Sequence, residues 1–117
     1  MEIKEYQEKA KRTMANLESH TLDNLHMCLG MQTETAEMSD VFKKYIAYQK
    51  PVDWVNVKEE IGDLMWYVVN MCNINAWDLR DIMKTNIEKL EARYPEKFTV
   101  ENAVKRDLET ERKILEK

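Results

Sequence analysis

Apolar residues recur at steps of three and four along most of the chain, which is the spacing that places them on one face of an α-helix. The first segment shows this with an apolar face that includes Ile3, Ala10 and Leu17. The pattern predicts five helices, over residues 2–17, 22–47, 54–75 and 79–93 and from Thr99 onward. The fold class predicted from this periodicity is therefore all-α.

Few residues interrupt the helical pattern, because the chain has only two glycines and two prolines. Pro51 and Pro95 fall where helices break or end, and Asp53 and Asp78 stand where a carboxylate can cap the first backbone N–H groups of a helix. The scarcity of glycine and proline excludes a β protein with many turns. It also excludes a glycine-rich loop that cradles nucleotide phosphates.

The length of 117 residues fits one domain with a modest core. We predict a single domain over residues 1–117, with a four-helix-bundle-like core at about 2–93 and an additional C-terminal helical tail at about 99–116. The tail has a sparse apolar face, and we expect it to pack late or on a partner subunit. No apolar run approaches the ~18 residues of a membrane span, so no membrane contact is expected.

Charge gives the first functional signal. The chain has 18 Lys and Arg against 22 Asp and Glu, and the net charge of −4 gives no general attraction to nucleic acid or to an anionic membrane. Residues 13–42 and 59–79 contain acidic residues but no Lys or Arg. Solvated helix faces usually mix both signs, because pairs of opposite charge one turn apart stabilise a helix. The acids of these two segments therefore need another explanation.

Cysteines and glycines carry packing signals. Cys28 and Cys72 have no Cys or His neighbour at zinc spacing, so we expect both to be reduced core thiols in a cytoplasmic protein. Gly30 falls inside a predicted helix, where glycine is unfavourable, and it predicts the close approach of a substrate or of another helix. Gly62 predicts tight helix packing.

Two pairs of acids share one spacing. Glu34 and Glu37 are three residues apart on the second predicted helix, and Glu60 and Asp63 repeat this spacing on the third. If the two helices pack antiparallel, the four carboxylates converge. They then require either shared protons or a hard divalent cation such as Mg²⁺. From the residues alone, a metal site and a chance arrangement of acids on charged helices both stay open.

The two histidines bear on which metal such a site would hold. Neither His20 nor His26 follows a glutamate by three residues, so the Glu-x-x-His signature of di-iron bundles is missing. This absence favours Mg²⁺ or Mn²⁺ over iron or zinc.

Two further sets of residues are candidates for binding a ligand. Asn86, Lys89 and Arg93 share a face of the fourth predicted helix and could bind phosphate oxygens, although cations are also common at the end of a helix. Lys97 and Arg106 are further candidates for the same phosphates. A base or sugar pocket needs flat apolar faces and a few hydrogen-bonding groups. The candidate residues could equally belong to the core or the surface. They are His26, Trp66, Tyr67, Asn70 and Tyr6.

Residues 29–38 and 59–67 contain the motifs Glu-x-x-Glu and Glu-x-x-Asp, and residues 86–95 with Phe98 follow. Together these segments resemble the MazG-like all-α nucleoside triphosphate pyrophosphohydrolases over roughly residues 22–98. The resemblance implies a MazG-type helical bundle whose metal ligands are Glu34, Glu37, Glu60 and Asp63.

The resemblance also implies an activity. A Mg²⁺-dependent enzyme, with Mn²⁺ as a substitute, would hydrolyse a nucleoside triphosphate or its deoxy form to the monophosphate and pyrophosphate. Either Glu34 or Glu37 would orient or deprotonate the attacking water. With the resemblance, we favour phosphate binding by Asn86, Lys89 and Arg93 over the helix-end explanation.

Alternatives remain within and outside this family. The chain could be a phosphoribosyl-ATP pyrophosphohydrolase, or a non-catalytic helical module that binds another protein. Apolar residues on more than one face of the second and third helices predict self-association, and the resemblance implies a homodimer or a homotetramer. The expected small-molecule partner is a nucleotide.

Overall fold

The computed structural model describes all 117 residues and contains helices but no strand. A 3₁₀ turn at Lys11–Thr13 follows the first of six α-helices. These helices are α1 at Ile3–Ala10, α2 at His20–Tyr48, α3 at Trp54–Ile74, α4 at Leu79–Arg93, α5 at Val100–Val104 and α6 at Leu108–Glu116. The prediction of an all-α fold is confirmed.

Side-chain caps define where the long helices begin. Asp53 accepts a hydrogen bond from the backbone N–H of Asn56, and Asp78 accepts one from that of Arg80, as the sequence predicted. Ser19 caps α2 in the same way, so this helix begins two residues before its predicted start. The three central helices are thus close to their predicted bounds.

The first predicted helix, 2–17, is too long. Helix α1 ends at Ala10, and the residues after the 3₁₀ turn are not helical. Here local polar side chains bond to the backbone instead, since Asn16 accepts from the N–H of Glu18 and Asp23 accepts from the N–H of Leu17. Such bonds compete with helical ones.

The predicted C-terminal helix is two helices. Helix α5 ends at Val104, and α6 starts again after Asp107, whose carboxylate accepts a hydrogen bond from the N–H of Thr110 at 3.1 Å. Thr99 caps α5 as its position predicted. A second N-cap therefore divides the tail.

The chain divides into two compact units, Met1–Trp77 and Asp78–Lys117. The first unit contains α1, α2 and α3, and the second contains α4, α5 and α6. The single domain over residues 1–117 stays a prediction.

Helices α2 and α3 form the body of the first unit and run antiparallel. The ring of Phe42, near the end of α2, lies 5.9 Å from that of Trp54 at the start of α3. At the opposite ends, the amide of Asn75 donates to Asn24 at 2.7 Å. The buried apolar side chains between and beside these helices are Met27, Val41, Val57, Val69 and Cys72.

Helix α1 is attached to α3 by amide side chains. Asn73 donates to the carbonyl of Gln7 at 2.9 Å, and Asn70 donates to the carbonyl of Ala10 at 3.2 Å. Gln7 in turn donates to the carbonyl of Trp77 at 2.7 Å. The bonds from Asn70 and Asn73 thus reach two carbonyls in the last turn of α1, where a helix supplies few partners of its own.

In the second unit, α6 packs on α4. The carboxylate of Glu111 on α6 is 4% exposed and pairs with Arg93 at the end of α4 and with Arg106 before α6. Because Glu111 pairs with both arginines, it connects α6, the end of α4 and the segment before α6.

Two expectations about small residues are corrected. Both cysteines are free, but Cys28 is exposed, and only Cys72 is a core thiol. A Cβ at Gly62 would meet nothing within 4 Å, so this glycine does not mark tight packing. No helix combines the length and the apolar character needed to cross a membrane.

Candidate metal centre

Three glutamates meet where α2 faces α3. One carboxylate oxygen from each of Glu34, Glu37 and Glu60 lies within 4.8 Å of the other two. Glu60 is 5% exposed, Glu34 is half-buried and Glu37 is exposed. The antiparallel arrangement brings these residues together, because Glu34 and Glu60 stand at matching levels of the two helices.

The electrostatics of this cluster follow from its crowding. A hydrogen bond shared with Glu60 raises the pKa of Glu34 to about 7, and burial and the charges of Glu37 and Asp63 add to the effect. A hydrogen bond to Glu60 also raises the pKa of Glu37. The pKa of Glu60 is lowered because it accepts these bonds. Near neutral pH the cluster therefore shares a proton when no cation is bound.

Two oxygens of the cluster have unmet bonding capacity. The Oε2 atoms of Glu34 and Glu60 are buried without a hydrogen-bond partner when both groups are ionised. Buried charged oxygens are costly unless a proton or a cation satisfies them. Carboxylate oxygens are the donors that Mg²⁺ and Mn²⁺ prefer, so these residues fit a hard divalent cation.

Asp63, the fourth predicted ligand, is not part of the three-oxygen cluster. It is exposed, yet its charge raises the pKa of Glu34 and Glu37, and with burial it raises that of Tyr6. Asp63 thus contributes to the potential of the site, and its role as a ligand stays a prediction.

Asn56 belongs to the site although sequence reasoning did not select it. Its amide donates to Glu60 at 3.1 Å and to Glu59 at 2.9 Å. This bond helps to lower the pKa of Glu60 and orients its carboxylate. The signal in the sequence was the four-residue spacing between Asn56 and Glu60, which places them one turn apart.

A cleft of about 430 Å³ adjoins the acids. Its lining residues are Ala36, Glu37, Asp40, Val41, Lys44, Asn56 and Glu60. Lys44 pairs with Asp40 at 3.0 Å and holds the pKa of that carboxyl below its usual value. No Lys or Arg of the first unit pairs with the three clustered glutamates, which agrees with the cation-free segments of the sequence.

Three of the predicted base or sugar residues form an aromatic group. Tyr67 makes T-shaped contacts with Trp66 at 5.0 Å and with His26 at 6.3 Å between ring centroids. Trp66 donates from its indole N–H to Thr13, while Nδ1 of His26 is buried without a partner. The group offers aromatic surface and one unused nitrogen, and its binding of a base stays a prediction.

Asn70, the fourth of those residues, lies in a different setting. It is fully buried, donates to the carbonyl of Ala10 and accepts a hydrogen bond from Asn73 at 2.9 Å. The attachment of α1 accounts for these bonds.

The predicted phosphate-binding residues lie on α4 of the second unit. Asn86 lines a cavity of about 290 Å³ beside Leu115, and Lys89 is half-buried. The guanidinium of Arg93 pairs with Glu111 at 2.5 Å, and its Nε is buried without a partner. Arg106 pairs with the same carboxylate at 3.1 Å. The assignment of these groups to phosphate stays a prediction.

The fold and the cluster together define an all-α protein with a carboxylate centre between two antiparallel helices. The family model of the MazG nucleotide pyrophosphohydrolase domain matches residues 22–98, more than half of the chain, and the chain therefore belongs to this family. The match covers α3, α4 and all but the first two residues of α2, and it confirms the family that the two acid motifs indicate. No curated protein and no solved structure matches the chain.

Proposed function

We propose that this protein is a Mg²⁺-dependent nucleoside triphosphate pyrophosphohydrolase that also accepts Mn²⁺. The observation that carries the proposal is the meeting of Glu34, Glu37 and Glu60, with two buried carboxylate oxygens that have no partner. Membership of a nucleotide pyrophosphohydrolase family supplies the reaction class. The substrate is a ribo- or deoxyribonucleoside triphosphate, and the products are the monophosphate and pyrophosphate.

The reaction breaks the bond between the α-phosphorus and the oxygen that bridges to the β-phosphate. Water supplies the new oxygen on the α-phosphorus, and the bridging oxygen leaves with pyrophosphate. Such reactions depend mainly on positioning and charge stabilisation, so no covalent nucleophile is required. A bound divalent cation would neutralise phosphate charge and lower the pKa of water.

The side chains of the cluster have different roles in this reaction. Glu60 is buried and held by Asn56, which suits a fixed ligand. Glu37 is exposed and lines the cleft, so it is placed to orient the attacking water and accept its proton. Glu34 serves as a ligand or as the alternative base, and Asp63 completes the set of ligands.

Contacts to the rest of the nucleotide are assigned by residue chemistry. The aromatic faces of Trp66 and Tyr67, with the free nitrogen of His26, suit a base or sugar. Asn86, Lys89 and Arg93 of the second unit offer an amide and two cations that suit phosphate oxygens, and Arg93 would then exchange its bond to Glu111 for one to phosphate.

The experiment is a panel of common and modified nucleoside triphosphates, with phosphoribosyl-ATP included, assayed for both products with Mg²⁺, with Mn²⁺ and with EDTA. We expect pyrophosphate release that EDTA abolishes and that Glu37→Gln reduces by about 100-fold or more, as for loss of a general base. Glu59→Gln is the matched control, since Glu59 is exposed, neighbours Glu60 and lies outside the cluster. Absence of turnover on every substrate with either metal would contradict the proposal.

Exposed apolar residues favour self-association. Leu22, Leu25 and Leu29 lie along one side of α2 and are each about half exposed. Such a row supports a homodimer or a homotetramer over an isolated chain. We propose a cytoplasmic location because both cysteines are free. Sedimentation equilibrium of the wild type and of Leu25→Lys tests the association, and a monomeric wild type would contradict it.

The same leucines would serve a non-catalytic module that binds another protein. The substrate panel separates the two functions, because such a module would release no pyrophosphate.

A further inference from the structure

Gly30 on α2 and Tyr67 on α3 meet beside the acids, one helical turn from Glu34 on α2 and one turn from Asp63 on α3. Gly30 precedes Glu34 by four residues, and Tyr67 follows Asp63 by four. Each therefore lies on the same face of its helix as the acids. Their contact therefore lies between α2 and α3, next to the acids along the helix pair.

The fit between these residues leaves no room for a side chain at position 30. Gly30 is buried, and a Cβ built there would overlap three atoms of the Tyr67 ring. The glycine is therefore required by the approach of another helix, which is one of the two reasons that the sequence suggested. Gly62 gives the contrast, because a Cβ there meets nothing within 4 Å.

The ring of Tyr67 has little freedom to move aside. Its centroid lies 5.0 Å from that of Trp66 and 6.3 Å from that of His26, and both contacts are T-shaped. Trp66 is itself tied to Thr13 by a hydrogen bond of 3.0 Å. A side chain at position 30 would consequently push the helices apart or displace this aromatic group.

We propose that Gly30 and Tyr67 are a positioning pair that sets the separation of α2 and α3 at the acid cluster, and so the geometry offered to the cation. This inference rests on the proposed function only in that the cluster binds a divalent cation. Mg²⁺ demands near-ideal octahedral geometry at short distances, so a small change in helix separation weakens its binding. Neither residue is a ligand in this proposal.

Other roles for Gly30 and Tyr67 would give different experimental results. If Gly30 served only packing, a substitution would lower stability and leave the affinity of the folded protein for Mg²⁺ unchanged. If Tyr67 acted only through its hydroxyl, Tyr67→Phe would have the full effect. Metal affinity, measured without substrate, separates these roles from positioning.

The test titrates the full chain with MgCl₂ and with MnCl₂ by calorimetry and by thermal unfolding. Loss of a residue that supports the metal ligands from the outer shell typically lowers metal affinity by about 10- to 100-fold. We expect a loss of this size in Gly30→Ala. Gly62→Ala is the matched control and should bind as the wild type does. Tyr67→Phe keeps the ring and should also retain its affinity.

Rescue gives the second arm of the test. Tyr67→Leu removes the ring that position 30 would strike, so Gly30→Ala should cost little when added to Tyr67→Leu. If Gly30→Ala alone does not fold, recovery of folding and metal binding in the double variant supports the pair. Failure of the double variant, with Tyr67→Leu itself folded and binding metal, would overturn it.

The remaining outcomes are also decisive. Affinity of folded Gly30→Ala within about twofold of Gly62→Ala overturns the inference, since outer-shell support has larger effects. Wild-type protein that binds metal but releases no pyrophosphate contradicts the proposed function and leaves the inference standing. Wild-type protein that binds neither Mg²⁺ nor Mn²⁺ overturns the inference itself.

Discussion

Glu34 on α2 and Glu60 on α3 share a hydrogen bond across the helix interface, which raises the pKa of one carboxyl and lowers that of the other. Two acids can be this close only with a proton or a cation between them. The arrangement stores repulsion that a bound divalent cation would relieve. Stability and the proposed function therefore oppose each other at this contact.

The first prediction concerns removal of that repulsion. Glu34→Gln should raise the melting temperature of the protein in EDTA at pH 8 by a few degrees, because a neutral amide no longer repels Glu37, Glu60 and Asp63. It should also abolish the increase in melting temperature that Mg²⁺ gives the wild type. Calorimetry with and without Mg²⁺ measures both effects. Glu59→Gln is the control, and a metal-free melting temperature lower than that of the wild type would contradict the repulsion.

The central helices and their caps could be predicted because their signals are local. Asp53 and Asp78 cap their helices through their own side chains, and the apolar spacing of α2, α3 and α4 needs no knowledge of tertiary structure. The breaks after Ala10 and Val104 were missed, because side-chain bonds to the backbone near Asn16 and at Asp107 override continuous periodicity.

The candidate site was predictable in part for a related reason. Spacing placed Glu34 and Glu37 on one face of α2, and the antiparallel register then brought Glu60 to them. Spacing could not show that Asp63 would stay outside the three-oxygen group, since this depends on how α3 rotates against α2. The sequence likewise could not show that Cys28 would be exposed, because this depends on which face of α2 packs against its neighbours.

The second prediction concerns Asn56, which orients Glu60 through a hydrogen bond of 3.1 Å. Asn56→Ala should weaken Mg²⁺ binding by about 10-fold, as loss of an outer-shell partner commonly does. The pKa of Glu60 should rise, because this bond helps to lower it. Calorimetric titration with Mg²⁺ measures the affinity. Glu59→Gln, which keeps an oxygen acceptor for Asn56, should bind as the wild type does, and equal weakening in both variants would contradict the role of Asn56.

The third prediction concerns acid stability of the second unit. Arg106 and Arg93 lower the pKa of Glu111 from 4.5 to about 2, so the folded state binds a proton there less readily than the unfolded chain. The contribution of Glu111 is therefore fully present above about pH 4.5 and is lost as the pH falls towards 2. Glu111→Gln should lose stability at pH 7 and show a shallower decline below pH 4.5.

Chemical denaturation between pH 2 and pH 7, followed by circular dichroism, measures this dependence. Glu109→Gln is the matched control, because Glu109 lies on the same helix with a side chain that is 84% exposed. Parallel stability curves for Glu111→Gln and the wild type would contradict the prediction.

The last prediction concerns Asn70, which the sequence assigned to a base or sugar and the structure places in the attachment of α1. Asn70→Ala would remove two buried hydrogen bonds, one to the carbonyl of Ala10 and one from the amide of Asn73. Each such bond is worth about 0.5–1.5 kcal/mol, so we expect the free energy of unfolding to fall by about 1–3 kcal/mol. Urea denaturation measures it, and KM is determined in parallel on the preferred nucleotide. A packing role predicts lower stability with KM close to that of the wild type, whereas unchanged stability with a raised KM would return Asn70 to the binding pocket.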